Sequence, residues 1–136
     1  MKMPHKRVSI QWVKSILAAA ESLGVDTQNI LSKLKLTLDL DSNLPAYLSM
    51  DQSQQIWSEA EAMSGHNYFG LHMGKKVRPS YFHAPAYAAM ASDNLLEAFK
   101  SFTNYLPLIS EGALLSLSYD GDKVWLQLTP KPDTKP

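Results

Sequence analysis

Four histidines, at 5, 66, 72 and 83, are the residues of this chain best suited to hold a metal or carry a proton. Imidazole changes charge near neutral pH and is a common metal ligand, so spacing decides what each can do. His66 and His72 are six positions apart, whereas a metal pair on one helix face needs a spacing of four. His72 and His83 could meet between adjacent helices as ligands to a haem or a metal, but polar structural roles suit both better. The carboxylates are no better placed. Asp39 and Asp41 fall in a loop, and Glu59 and Glu61 lie on different sides of a helix, so neither pair meets a nucleophile. The chain has no cysteine, no serine in a nucleophile elbow and no glycine-rich loop after a strand. Thiolate, acyl-transfer and phosphate-cradling chemistry all lack their parts. The chain is therefore not expected to be an enzyme, and nothing in it calls for a metal or a cofactor.

The aromatic residues Trp57, Tyr68, Phe69, Tyr81, Phe82 and Tyr87 surround the stretch "GLHMG". Core packing is the ordinary use of such residues; the alternative is an apolar cleft with polar tips, the usual form of a small-molecule pocket. Tyr81, Phe82 and His83 follow Pro79 in an expected loop and so lead the ligand-binding candidates, with Tyr87, Trp57 and Tyr68 behind them. His83 would add a hydrogen bond or a charge.

These residues must be positioned by helices. Ile10, Val13, Ile16, Leu17, Ala20 and Leu23 recur at helical spacing, with Ser9 as N-cap and Gly24 as the stop. A short helix follows, capped by Asp26 or Thr27, with Ile30, Leu31 and Leu34 as its stripe. "LTLDLDSNLPAYL" reads as a connection. Ser49 and Gln52 have capping-box spacing and open a third helix burying Ile56, Trp57, Ala60 and Met63. A fourth is expected over 67–77, then a small-residue helix in "HAPAYAAMAS". Asn94 and Glu97 repeat the capping-box spacing before a longer helix, which Pro107 kinks or ends. The period then falls to two on either side of Asp120-Gly121, a hairpin signal.

The fold class is thus α+β and predominantly helical, with about five to six packed helices followed by a C-terminal antiparallel β-hairpin. The expected domain covers 1–129, with 130–136 as an exposed tail or linker stub. A lone hairpin is marginal in water, so the domain is expected to be incomplete at its C-terminus. Thirteen Lys and Arg balance thirteen Asp and Glu, which removes the positive field that gripping DNA requires. No apolar run is long enough to span a membrane, and no signal-peptide core follows the basic start, so a cytoplasmic location is the default.

Gly70 and Gly74 sit one turn apart in an expected helix, at a cost on the order of 1 kcal/mol each relative to alanine. They fall on one face, where missing side chains would let the "APAYAAMA" helix close in. Lys75, Lys76 and Arg78 then suit the helix C-terminus, and Pro79 ends the element.

Together with "LGVD" at 23–26, the positions Gly70, Leu71, Gly74, Pro79, Ser92, Ala98 and Gly112 give an order and spacing that resembles a known family. It is the N-terminal regulatory region of AraC-type transcription regulators, in its mostly helical, arabinose-binding form. The likeness spans about 9–129. It departs at His83 and Ala86, where the pattern leads one to expect glycines, and at Pro85 and Pro107. The resemblance implies a domain that binds a small-molecule effector, forms a homodimer, or both. DNA would be read only through a C-terminal helix-turn-helix portion outside this chain. The alternatives are a stand-alone protein-interaction module without DNA binding and a haem or small-molecule sensor.

Overall fold

The computed structural model describes residues 6–42, 44 and 46–131. Strand β1 (Arg7–Ser9) leads into α1 (Ile10–Ser22), followed by α2 (Thr27–Lys33), β2 (Tyr47–Ser49), α3 (Met50–Ser64) and α4 (Phe69–Lys76). A 3-10 turn (Pro79–Tyr81) precedes α5 (Ala84–Met90) and α6 (Leu95–Tyr105); a second (Leu106–Leu108) precedes β3 (Ala113–Asp120) and β4 (Lys123–Pro130). The mostly helical α+β class and the C-terminal hairpin are both as expected.

Local chemistry explains most boundaries. Ser9 Oγ accepts from the Gln11 N–H, and Asp26 accepts from the N–H groups of Gln28 and Asn29. The Ser49–Gln52 capping box is complete in both directions. At α6 only half a box forms: Asn94 accepts from the Glu97 N–H, while Glu97 turns to Lys100, 3.0 Å away. Gly24 takes φ +82° and closes α1, with its N–H donating to Glu21 O and that of Val25 to Ala20 O.

The main core is built round α1. Val13, Ile16, Ala19 and Ala20 are inaccessible to solvent and pack with Ile30, Ile56, Ala60, Phe69 and Met73 from α2, α3 and α4. Helices α5 and α6 pair with each other, and α6 with β3, beside this core. That second layer is thin: α6 buries none of its residues, and every residue of β4 is exposed.

Two expectations are corrected. Helix α4 packs on α1, and α5 pairs with α6, so the glycines do not admit the small-residue helix. Burial of Phe69 and Met73 fixes the orientation of α4 and turns both glycines away. A Cβ at Gly70 would meet the Trp57 ring at 3.4 Å, an ordinary contact, and one at Gly74 would meet nothing within 4 Å. The residues expected to begin the tail are partly in the sheet. Pro130 closes β4 opposite Ala113, and the Lys131 N–H donates to Gly112 O; residues 132–136 and His5 lie outside the described residues. The short β1–β2 pair was not anticipated, because three-residue strands carry no readable alternation.

With open space around it and a helical backbone, Gly74→Ala should raise stability by about 0.5–1 kcal/mol, and Gly70→Ala should change it little. Chemical denaturation reads both. A loss of stability in Gly74→Ala would mean that a neighbouring backbone does approach there.

Candidate functional site

Strand β1 is three residues long, yet it joins three separate parts of the chain. It pairs antiparallel with β2, Val8 opposite Leu48, and on its other edge bridges to Ser110. The Ser9 N–H donates to Ile109 O at 2.7 Å, the Glu111 N–H to Arg7 O at 3.0 Å, and the Ile10 N–H to Ala46 O at 2.9 Å. Glu111 answers with its carboxylate, accepting from the Arg7 N–H at 2.7 Å and from Arg7 Nη2 at 3.1 Å. The Arg7 guanidinium lies 4.8 Å from the Tyr47 ring centre, adding a cation–π contact across the β1–β2 pair. These donors, the hydrogen bonds from Arg7 first, hold the Glu111 carboxyl below its ordinary pKa.

Beside this junction lies a cleft of about 220 Å³. Ser9, Ile10 and Gln11 form one wall at the start of α1; Leu44, Ala46 and Tyr47 come from the approach to β2; Leu108 and Ile109 come from the second 3-10 turn. Tyr81, Phe82, His83, Ala84 and Pro85 close the remaining side. Three of the six candidate residues therefore meet here. Trp57, Tyr68 and Tyr87 do not line the cleft: Trp57 stands edge-on to Phe69 at 5.2 Å, and the other two are largely exposed.

The three that meet have different duties. Phe82 packs between Trp12 of α1, tilted with centroids 6.0 Å apart, and Phe102 of α6, edge-on at 5.8 Å, so it ties the two helical layers together. Tyr81 ends the 3-10 turn and makes no ring contact with the described aromatics. His83 is the unusual one. Its backbone has φ +47° and ψ −127°, a region that favours glycine, and its carbonyl accepts from the N–H groups of Ala86 and Tyr87. The position where the sequence substitutes histidine for an expected glycine is thus one where the backbone favours glycine.

His66 and His72 lie together near the start of α4. Ser22 Oγ gives its proton to Ala19 O at 2.7 Å, so at its 2.8 Å contact with His72 the imidazole Nε2–H must be the donor. This ties α4 to the end of α1. His66, in the loop before α4, brings its ring to 5.7 Å from His72, a proximity that spacing along one helix does not reveal. Among the described residues no three His, Asp or Glu side chains gather as a metal site. No helix among them is long and apolar enough to cross a membrane.

Capped helices around α1, a C-terminal hairpin and a cleft beside β1 make up a small, mostly helical α+β domain. Residues 24–136 match the family model for the arabinose-binding N-terminal domain of AraC transcription regulators, and the chain belongs to that family. No curated protein matches it closely enough to serve as a relative.

Replacing His83 by glycine should relieve the backbone and raise stability by up to about 1 kcal/mol, whereas His83→Ala should not, since alanine inherits the strain. Phe82→Ala should cost about 2 kcal/mol or more through lost packing, while Tyr81→Ala stays within about 1 kcal/mol of the parent. Equal losses in these two variants would contradict the division of duties. Acid should also loosen the β1 junction. Because the folded pKa of Glu111 lies below the unfolded one, its contribution is full above the ordinary carboxylate range, near about 4, and fades as pH falls through the folded value. Glu111→Gln should flatten that part of the stability–pH curve.

Proposed function

We propose that this chain is the effector-binding and dimerising module of an AraC-type transcription regulator. The cleft beside β1 is its effector site, and DNA is read by helix-turn-helix units outside these residues. One observation carries the assignment of the site. The cleft walls come from four segments far apart in sequence, so a ligand there bears on how β1, β2, α5 and the approach to the hairpin sit together. An effector switches a regulator only if it binds one arrangement better than another, and a site between segments offers that difference. The absence of net charge agrees with a module that leaves DNA contacts to another part of the protein.

The homodimer uses the hairpin. Its apolar face carries Leu115, Leu117, Tyr119, Val124, Leu126 and Leu128 in cross-strand pairs, and Leu128 remains 64% exposed. Between this face and α5–α6 runs a wholly apolar hollow of about 280 Å³ lined by Ala89, Ala98, Phe99, Phe102, Leu115 and Leu126. Contiguous apolar surface of this kind marks a contact site on a soluble chain. With no net charge, a second copy meets no long-range repulsion.

A thermal-shift screen of amino acids, sugars, fatty acids and small aromatic compounds tests the effector site. A ligand should raise the melting temperature of the parent and not of Tyr81→Ala. Equal shifts in both proteins would move the site elsewhere. Sedimentation velocity tests the dimer: Leu128→Glu should yield a folded monomer, and an unchanged dimer would remove the hairpin from the interface.

A further inference from the structure

We infer that the cleft beside β1 takes a small uncharged ligand built on one or two rings, with no more than a couple of polar groups. This rests on the cleft being the effector site and adds what kind of molecule fills it.

Charge comes first. None of the thirteen lining residues is Asp, Glu, Lys or Arg. The nearby cation, Arg7, is committed to Glu111 and to the Tyr47 ring. At the start of α1 two of the first-turn amides are already engaged, the Ile10 N–H by Ala46 O and the Gln11 N–H by Ser9 Oγ. An ammonium entering here would find no carboxylate, and a carboxylate would find no Lys or Arg, only the polar tips of Gln11, Tyr47, Tyr81 and His83, so either ion would shed more hydration than the lining replaces.

Polarity is the second limit. A sugar carries a hydroxyl on nearly every carbon, and each buried hydroxyl needs a partner. The walls supply few: Ser9 Oγ already caps α1, leaving the side chains of Gln11, Tyr47, Tyr81 and His83 as the principal polar tips. Ile10, Leu108, Ile109, Pro85 and the faces of Tyr47, Tyr81 and Phe82 make up the rest, surfaces suited to a planar ring. The description "arabinose-binding" belongs to the family; this chain's cleft is too apolar to match a pentose.

Size is the third. A cavity of about 150 Å³ accommodates one benzene ring. At about 220 Å³ the cleft has room for one ring with a short substituent, or for two fused rings.

Isothermal titration of the full chain with indole, benzoate and L-arabinose tests this. Indole is uncharged with a single N–H; benzoate has comparable ring surface but bears a charge. Indole should bind at least about tenfold tighter than either of the others. Ala84→Phe, which fills the mouth from an exposed helix start, should weaken indole by a similar factor without lowering the melting temperature. Tighter binding of benzoate or L-arabinose, lost in Ala84→Phe, would leave the cleft as the ligand site and overturn the ligand class. Indole affinity unchanged by Ala84→Phe and Tyr81→Ala, or no binding by any of the three, would overturn both.

Discussion

The structure depends on the placement of one short strand. Arg7–Ser9 gives its hydrogen bonds in two directions, to β2 on one side and to residues 109–111 on the other. Val8 between them is 1% exposed. The strand also fixes where α1 begins, because Ser9 is both its last residue and the helix N-cap. One three-residue element thereby joins the α1-centred core to the segment that leads into the hairpin. A buried backbone amide without a partner costs on the order of 1–3 kcal/mol, so this double pairing leaves little freedom to slide. The cleft exists because the strand holds its walls in place.

A division of labour follows. Around α1 the packing is dense, and side chains from all four of the first helices lose their water. Around α6 it is loose: the helix is amphipathic yet buries no residue, and the hairpin beside it presents leucines, a tyrosine and Trp125 to solvent. Phe82 spans the two regions through its contacts with Trp12 and Phe102. The cleft lies at this boundary, where a ligand can bear on the relation between a rigid part and a less consolidated one. That arrangement suits a sensor, whose two states must differ by only a few kcal/mol.

Much of the architecture was legible because it is written in local chemistry. The caps at Ser9, Ser49 and Asn94 and the stop at Gly24 act over two to four residues and read directly from the chain, while the cap of α2 is narrowed only to Asp26 or its neighbour Thr27. The hairpin was legible for the same reason, through its alternation about Asp120-Gly121. What could not be read was long-range. Strands β1 and β2 are too short to show a period, and the contact of β1 with Glu111 spans 104 residues. Gly70 and Gly74 show the limit of inference from residue type. Their bareness suggests a helix contact, but the burial of Phe69 and Met73 decides which way α4 faces. The family membership does not depend on what the glycines pack against, because the match extends over residues 24–136. Of the site, Tyr81, Phe82 and His83 could be picked out by their loop after Pro79. The opposite walls, from Gln11 to Leu108, carry no sequence signal, since only folding brings them near.

The dependence of the cleft on β1 is open to direct measurement by native-state hydrogen exchange. The amides of Ser9, Ile10 and Glu111 should exchange as slowly as those of the α1 core, such as Ile16, because opening the junction requires the global transition. If those three amides exchange at much lower free energy while Ile16 stays protected, β1 is a frayed end and does not organise the cleft.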